Sequence, residues 1–293
     1  MNRLLPWLRL LRAGTLLSPG CDVLAGICII GMPWSPDAVR IILASICLYA
    51  AGMVWNDVAD VREDRLQRPE RPIPRGDISL AGAATLGTVL LVLGVLCSPA
   101  EFRMHHGLIA VLVLLYDFAC KKVALLGALT MGSLRGLNLM TAAAPLLWSG
   151  AIPADAQPAF TVLLTAAACY AIYVIAVTIL GIYEDAERVT PRAVVTVQTA
   201  PLVAGFVGLL SAQGGLWPAP AIATLPIILF ARRNRLRTDW DQASIRKSMM
   251  YLLLGTMLYT ALLAVARDRW PEALAIALCI PVARWIARHI SLT

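Results

Sequence analysis

The chain has 293 residues, of which 59% are hydrophobic and only 15% are charged, and its mean hydropathy is +0.74. Soluble globular domains carry a much larger charged share, so this composition excludes a soluble protein and indicates a polytopic membrane protein. The net charge of +7 is interpreted as a consequence of membrane orientation, and no nucleic-acid partner is expected.

Ten apolar segments along the chain predict membrane-spanning helices. A helix needs about 20 residues to cross a hydrocarbon layer of about 30 Å. The segments lie at 14–32, 38–56, 79–98, 105–120, 123–148, 159–182, 192–212, 216–231, 249–266 and 272–289. Pro226 and Pro281 interrupt the eighth and tenth segments, but a membrane helix tolerates proline where neighbours satisfy the freed carbonyl. A short helix is also expected on the membrane surface in MNRLLPWLRLLRAG, before the first span.

Lys and Arg are distributed unequally between the two ends of these segments. If all ten segments span the membrane, twenty of the 25 cations lie on one side, three on the other and two inside helices. Lys and Arg accumulate in cytoplasmic loops. Both termini and the two longest loops, 57–78 and 232–248, are therefore predicted to be cytoplasmic in a protein of the inner (cytoplasmic) membrane. No loop is long enough for a core of its own, so residues 1–293 are expected to form one membrane domain.

Residues 56–76, NDVADVREDRLQRPERPIPRG, follow the second predicted span and carry an unusual amount of charge. Asp57, Asp60 and Asp64 are spaced i, i+3 and i+7, which would place them on one face of a helix with Asn56 at its edge. Neighbouring carboxylates repel one another unless a cation lies between them. Mg²⁺ binds one or two carboxylates together with water and phosphate oxygens, so this spacing predicts a Mg²⁺ site.

Five arginines lie in the same stretch, three of them in RPERPIPRG, where the prolines stiffen the backbone. Guanidinium groups match the geometry of phosphate oxygens. Acidic groups for a metal and arginines for phosphate, at the mouth of an apolar bundle, indicate binding of a diphosphate with a hydrophobic tail. An ordinary solvated loop that obeys the positive-inside rule would explain the arginines, but it would not explain the register of the aspartates.

These motifs resemble a known family. NDVADVRED, residues 56–64, matches the NDxxDxxxD signature of the UbiA superfamily of intramembrane prenyltransferases at its asparagine and its aspartates. The following RPERPIPRG is similar to the Arg- and Pro-rich continuation of that signature. Downstream, YDFACK places Tyr116 and Lys121 in the family's YxxxxK spacing.

The resemblance implies an all-α polytopic membrane protein, a UbiA-like bundle of nine to ten transmembrane helices around a central cavity open to lipid, with cytoplasmic capping loops. It implies that the aspartates bind Mg²⁺ and, through the metal, a prenyl diphosphate. Arg71 and Lys121 would neutralise the diphosphate as its carbon–oxygen bond breaks, and Tyr116 would shape the pocket beside the allylic carbon. The implied catalytic residues are Asp57, Asp60, Asp64, Tyr116 and Lys121, and the implied substrate-binding residues include Asn56, Arg68 and Arg71.

A second acidic cluster, GIYEDAERV at 181–189, follows the sixth predicted span. The superfamily usually presents several aspartates there, but aligning Asp185 with the middle one leaves Ile182 and Val189 in two of the expected places. Glu184 and Glu187 are one helical turn apart and would bind a metal with Asp185 in a shifted register. Alternatively, the arginine that follows pairs with one of these acidic residues. Glu184 and Asp185 are also candidates for substrate binding.

Arg135 lies in the middle of the predicted span 123–148, where a cation costs a few kcal/mol and is functional by default. The glycines of the surrounding GSLRG would let another helix or a ligand approach closely. Arg135, Asn138 and Asp22 are interpreted as substrate-binding residues of the cavity. The alternative is a buried structural pair between Arg135 and either Asp22 or Asp117. Asp117 itself is expected to pair with Lys121, one turn further on.

Two functions are consistent with these features. The first is Mg²⁺-dependent transfer of a prenyl group from an isoprenoid diphosphate to a hydrophobic or aromatic acceptor within the membrane, by a UbiA-type prenyltransferase. The alternative is a non-catalytic or weakly active UbiA-like protein that binds or translocates a lipid-linked metabolite. The divergent second cluster and LRGLN in the fifth span are similar to the UbiA-like proteins called EboC, encoded in ebo clusters linked to precursor export. A purely structural subunit would not explain the aspartates.

Overall fold

The computed structural model describes residues 4–184, 190–235, 237 and 240–290. Within these residues the chain forms thirteen α-helices and three short 3₁₀ turns, and this described part contains no β-strand. The helices are α1 (Leu5–Leu10), α2 (Leu17–Ile30), α3 (Pro36–Ala59), α4 (Val61–Gln67), α5 (Leu80–Leu96), α6 (Ala100–Phe118), α7 (Ala124–Met140), α8 (Ala144–Trp148), α9 (Gln157–Glu184), α10 (Pro191–Gln213), α11 (Ala219–Arg235), α12 (Gln242–Val265) and α13 (Trp270–Ile290).

All ten predicted spans correspond to helices. Among the described residues, seven stretches are long and apolar enough to cross a membrane: Ala13–Ile30, Pro36–Ala59, Ala100–Lys122, Gln157–Glu184, Pro191–Gln213, Gln242–Val265 and Trp270–Ile290. The other three predicted spans form α5, α7 and α11, with 17 residues each. Pro226 and Pro281 lie inside α11 and α13 without ending them, as predicted. The chain is therefore a multi-span helical membrane protein.

The predicted fifth span, 123–148, is interrupted rather than continuous. α7 ends at Met140, a 3₁₀ turn follows at Thr141–Ala143, and α8 is a separate short helix. Pro145 lies in the first turn of α8. Proline there lacks the N–H that a continuous helix would need, and its ring would clash with the preceding turn. The expectation of one unbroken helix is wrong at this point for that reason.

The main buried core draws its residues from α2, α7 and α9 to α13, so the core includes helices from both halves of the chain. α7 approaches α9 closely at two glycines. A Cβ atom on Gly132 would lie 2.6 Å from the carbonyl oxygen of Ala171, and one on Gly136 would lie 3.1 Å from that of Ala167. Small residues allow such close backbone contact between membrane helices, as GSLRG predicted.

Contacts between helix termini define two ends of the bundle. At one end, which carries Asp57 and is called the acidic end below, Nε of Arg9 donates a 3.0 Å hydrogen bond to the carbonyl oxygen of Ile290. At the opposite end, Nε1 of Trp34 donates a 3.2 Å hydrogen bond to Glu272. Several helix termini meet at the acidic end. They are the last turns of α3, α6, α9, α11 and α13 and the first turns of α5, α7, α10 and α12.

Candidate active site

The acidic loop is built around a break between two helices. α3 ends at Ala59, the backbone of Asp60 has φ −91° and ψ 3°, and α4 begins directly afterwards. Both Asp57 and Asp64 have buried carboxylates. Nη1 of Arg71 lies 3.2 Å from Oδ1 of Asp57 and 2.7 Å from Oδ2 of Asp64. One guanidinium group therefore bridges the two buried carboxylates.

Two further arginines approach the same pair. Nη2 of Arg12 lies 3.3 Å from Oδ1 of Asp57, and Nη1 of Arg68 lies 4.0 Å from Oδ1 of Asp64. Arg12 has a left-handed backbone conformation with φ 49°, which costs a residue with a Cβ atom about 1–2 kcal/mol. Its place in the site was not predicted, because the N-terminal sequence indicates a surface helix but not where the chain folds back.

Lys121 pairs with Asp60. The predicted pair of Lys121 with Asp117 does not form. Nζ of Lys121 lies 2.6 Å from Oδ1 of Asp60. α6 ends at Phe118 and the chain continues in a short 3₁₀ turn, so Lys121 does not lie one helical turn beyond Asp117. Asp117 instead accepts a 3.1 Å hydrogen bond at Oδ1 from Nδ2 of Asn56. The buried Oδ2 of Asp117 has no hydrogen-bond donor among the described residues.

Two neighbouring spaces lie beside these groups. A largely apolar cavity of about 190 Å³ lies between α2, α3, α6 and α7, and a polar cleft of about 400 Å³ lies at the ends of α3, α4 and α6. Asp117 borders both spaces. The cavity lining includes Leu48, Tyr49, Val113, Tyr116 and Leu134, and the cleft lining includes Asp60, Arg62, Glu63, Lys121 and Lys122. Another apolar cavity, of about 450 Å³ among α9 to α13, contains none of the predicted site residues.

Arg135 lines the 190 Å³ cavity and is held there by a buried polar network. Its Nη2 donates hydrogen bonds of 2.6 Å to the hydroxyls of both Ser18 and Tyr170 and lies 3.1 Å from Oδ2 of Asp22. Nδ2 of Asn138 donates a 3.0 Å hydrogen bond to the same Asp22 oxygen. Arg135 is therefore paired with Asp22, as the structural interpretation has it, and it also lines the cavity, where its role in substrate binding stays a prediction. Ser18 and Tyr170 were not predicted, since only folding brings α2 and α9 together.

The spacing of the three aspartates predicted that they share one helical face, and this prediction is wrong. The break at Asp60 turns its carboxylate toward Lys121, whereas Asp57 and Asp64 both contact Arg71. Within the described ranges, no group of three or more Asp, Glu, His and Cys side chains is arranged to hold a metal ion. The carboxylates of Asp57 and Asp64, on either side of the Arg71 guanidinium group, still fit Mg²⁺. This ion binds one or two carboxylates and completes its shell with water and phosphate oxygens.

The second acidic cluster is only partly described. Glu184 ends α9, and its Oε1 lies 2.8 Å from Nη2 of Arg246 on α12, so this carboxylate already has a cationic partner. The structure does not join Glu184 to the pair around Arg71. Asp185 and Glu187 lie outside the described residues, so their assignment as metal ligands stays a prediction.

The sequence matches a known protein family over most of its length. The profile of the UbiA prenyltransferase family matches residues 23–255. Digeranylgeranylglyceryl phosphate synthase from Methanoculleus marisnigri is 28% identical over 202 residues, an alignment that covers 68% of each protein. Other synthases of that name align with this chain over about half of their own length.

Two solved structures have a similar helical bundle. The structure from a study of digeranylgeranylglyceryl phosphate synthase in membranes superimposes with a TM-score of 0.63 at 18% identity and covers 91% of this chain and 99% of that one. The apo structure of a UbiA homolog from Aeropyrum pernix K1 gives a TM-score of 0.59 at 19% identity, with 86% and 97% covered. At these identities the likeness concerns the fold alone. The profile match over residues 23–255, which is most of the chain, shows that this chain belongs to the UbiA prenyltransferase family.

Proposed function

We propose that this protein transfers a prenyl group from an isoprenoid diphosphate to a hydrophobic or aromatic acceptor inside the membrane, with Mg²⁺ as its cofactor. Family membership and the relatives named as synthases support prenyl transfer. The observation that carries the assignment to this site is the Arg71 guanidinium group, which bridges Asp57 and Asp64 at the acidic end. We further propose that residues 1–293 act as one membrane domain whose acidic end faces the cytoplasm.

The donor would lie across these two neighbouring spaces, which share Asp117 in their linings. Its diphosphate would occupy the polar cleft, where Lys121, Arg62 and Lys122 supply positive charge, and its prenyl tail would extend along apolar surface. Arg71 and Arg12 would exchange part of their contact with the carboxylates for contact with phosphate oxygens. Arginine suits that exchange because its planar group has five N–H donors.

Bond breaking at the allylic carbon is the step that these cations would assist. Both electrons of the carbon–oxygen bond move to the diphosphate, which leaves as pyrophosphate, and an allylic cation remains. Lys121 and Arg71 would stabilise the growing negative charge from fixed positions, which is the largest source of catalysis in many enzymes. The apolar cavity, with Tyr116 in its lining, would keep water away from the allylic cation.

The acceptor would complete the reaction. It donates an electron pair to the allylic carbon, forms the new bond and releases one proton. Asp117 is suited to take that proton, because it borders both the cleft and the cavity and its Oδ2 has no hydrogen-bond donor among the described residues. A positioned carboxylate within reach of the acceptor acts as a general base.

Asp57 and Asp64 are the residues that would hold the metal, with Asp60 as a further carboxylate at the edge of the cleft. When bound, Mg²⁺ supplies a divalent positive charge that neutralises the diphosphate. Glu184 would add a ligand only if it leaves Arg246, and Asp185 and Glu187 are proposed as further ligands.

The test is release of pyrophosphate from labelled geranylgeranyl diphosphate by the full chain in lipid nanodiscs, with candidate acceptors and with or without Mg²⁺. We expect release that depends on Mg²⁺ and is lost in Asp60→Asn. The matched control is Asp77→Asn, because Asp77 pairs with Arg75 outside the cleft and the cavity. Release that is unchanged by Asp60→Asn or by removal of Mg²⁺ would contradict the proposal.

One observation favours the alternative function, a carrier that binds or translocates a lipid-linked metabolite without cleaving it. The second acidic cluster has Ile182 where the superfamily has a carboxylate, and Glu184 is paired with Arg246. In the same assay, tight binding of the donor without cleavage, whichever acceptor is added, would support the carrier.

A further inference from the structure

We propose that the 450 Å³ cavity among α9 to α13 binds one anionic phospholipid of the surrounding bilayer, with the phosphate at Arg233, Lys247 and Arg284 and an acyl chain inside the cavity. Among the described residues, none that lines this cavity also lines the polar cleft or the 190 Å³ cavity. The phospholipid would therefore be a separate ligand of this protein, and its binding does not depend on prenyl transfer.

The mouth of this cavity at the acidic end carries three positive charges. Cζ of Arg233 lies 4.6 Å from the centre of the Tyr251 ring, and both side chains line the cavity. Lys247 and Arg284 are close enough to the Tyr251 hydroxyl to interact with it electrostatically. Within the described part of the chain, none of these three cations forms an ion pair with a carboxylate. An anionic head group would balance their charge, as it does in basic pockets between the helices of other membrane proteins.

The interior of the cavity suits a hydrocarbon chain. Its lining consists mainly of aliphatic and aromatic side chains from α10, α11 and α12. Two buried tyrosines in that lining already use their hydroxyl groups. Tyr173 donates a 2.7 Å hydrogen bond to the carbonyl oxygen of Leu252, and Tyr259 donates one of 3.0 Å to that of Ala166. A polar ligand would lose its hydrogen bonds to water here, whereas an acyl chain gains apolar contact.

The length and the opening of the cavity match one leaflet of a bilayer. Tyr251 and Leu262 line it from α12 and are about 16 Å apart along the helix, at about 1.5 Å per residue. Half of a hydrocarbon layer of about 30 Å has nearly the same length. Leu229 lines the cavity and is 58% exposed, so the cavity is open to the surroundings of the bundle. A bilayer phospholipid therefore reaches it without leaving the membrane.

Binding of matched lipids to the purified full chain tests the proposal. Native mass spectrometry in detergent, with phosphatidylglycerol or phosphatidylcholine of identical acyl chains, gives the two dissociation constants. We expect phosphatidylglycerol to bind at least about tenfold more tightly, because each cation near an anionic head group raises the affinity about fivefold. Glycerol 3-phosphate, which has the phosphate without acyl chains, should not displace it at equal concentration. Equal affinity for the two lipids, or displacement by glycerol 3-phosphate, would overturn the proposal.

Substitutions at the mouth locate the phosphate. Arg233→Gln is expected to weaken phosphatidylglycerol binding about fivefold, and Arg233→Gln/Lys247→Gln at least about tenfold. Arg232→Gln is the matched control and should keep the affinity of wild type, because Arg232 is adjacent, exposed and outside the cavity lining. Equal losses in Arg233→Gln and Arg232→Gln would show that only a general positive potential attracts the lipid, which contradicts a site at this mouth.

Two tryptophan variants of α12 locate the acyl chain. Leu254→Trp enlarges a side chain of the lining and is expected to weaken binding at least about fourfold, the value of one excluded CH₂ group. Leu253→Trp is the control, because Leu253 is 51% exposed and lies outside the lining. The melting temperatures of both variants without added lipid show whether the bundle folds. A folded Leu254→Trp that binds like wild type would exclude an acyl chain from the cavity.

The prenyl diphosphate of the proposed function is the competing occupant, since it also joins an anionic head to an apolar tail. Geranylgeranyl diphosphate with Mg²⁺, added to protein saturated with phosphatidylglycerol, separates the two ligands. We expect the phospholipid to stay bound, because the donor would occupy the cleft and the 190 Å³ cavity. Displacement would assign the 450 Å³ cavity to the donor and overturn the proposal. A protein that binds phosphatidylglycerol as expected but releases no pyrophosphate would overturn the proposed function alone.

Discussion

Nζ of Lys121 lies 2.6 Å from Oδ1 of Asp60, which joins the end of α6 to the break between α3 and α4. The two side chains are 17% and 26% exposed, and both line the polar cleft. This ion pair restricts the conformations of the flexible Lys121 side chain, while its ammonium group still attracts anions. Asp60 therefore holds Lys121 in the cleft that the proposed diphosphate would occupy.

Replacing Lys121 by methionine is expected to lower kcat for pyrophosphate release about 100- to 1000-fold, because loss of one fixed transition-state donor has an effect of that size. The measurement is steady-state release from geranylgeranyl diphosphate. Lys122→Met is the matched comparison and should lose much less, since Lys122 lines the same cleft but is exposed and has no ion pair with Asp60. Similar losses in the two variants would show that the cleft needs only a general positive potential.

Asp64→Asn is expected to weaken Mg²⁺-dependent binding of a prenyl diphosphate by at least about tenfold, because even groups that only support metal ligands have effects of 10- to 100-fold. Calorimetry with a thiodiphosphate analogue, with and without Mg²⁺, measures the loss. The free energy of unfolding should change by only about 1 kcal/mol, because Arg71 keeps Asp57 as a partner. Asp77→Asn serves as control, and a large fall in thermal stability for both Asp57→Asn and Asp64→Asn would indicate a structural role instead.

The sequence predicted the spans well, because hydropathy is a local property that a stretch of about 20 residues carries by itself. It also identified the acidic loop, since the spacing of its aspartates is visible in one short segment. The partners of those aspartates were predicted poorly. The i, i+3, i+7 argument assumes one continuous helix, whereas the chain breaks at Asp60 and sends that carboxylate to Lys121.

Long-range partners account for the remaining differences. Arg12 reaches Asp57 across 45 positions of sequence, and Tyr170 reaches Asp22 across 148. Such contacts follow from how helices pack, and no periodicity within one segment encodes them. Sequence alone does signal that Arg135 needs a partner, because an intramembrane cation is too costly without one, and it gave Asp22 as one of two candidates.

Asp117→Asn is expected to change the ratio of products more than the rate of pyrophosphate release. The amide keeps the size of the side chain and can still bond Asn56, but it cannot take a proton from the acceptor. We expect the ratio of prenylated acceptor to prenyl alcohol to fall by at least about tenfold, while pyrophosphate release falls much less. Product analysis by mass spectrometry gives the ratio. A parallel fall in both quantities would place Asp117 in donor binding rather than in proton transfer.

Two native cysteines allow the proposed orientation to be tested. Cys97 is exposed just after α5, where its carbonyl oxygen accepts a 2.9 Å hydrogen bond from Arg40 at the end opposite to the acidic loop. Cys120 lies beside Lys121 at the acidic end and is partly exposed. We consider two variants, each of which keeps only one of these cysteines and no other cysteine of the chain. The variant that keeps Cys97 should react with a membrane-impermeant maleimide in right-side-out vesicles. The Cys120 variant should react in inside-out vesicles.

The prediction follows from charge, because the cationic loops that gather at the acidic end are retained in the cytoplasm during insertion. Detergent-permeabilised vesicles give the control, since both variants should then be labelled to their full extent. The reverse labelling pattern would place the cleft on the outer side, where a diphosphate made in the cytoplasm would have to cross the membrane to reach Lys121. That crossing is unfavourable for a multiply charged group, so the reverse pattern would contradict the orientation and the donor assignment together.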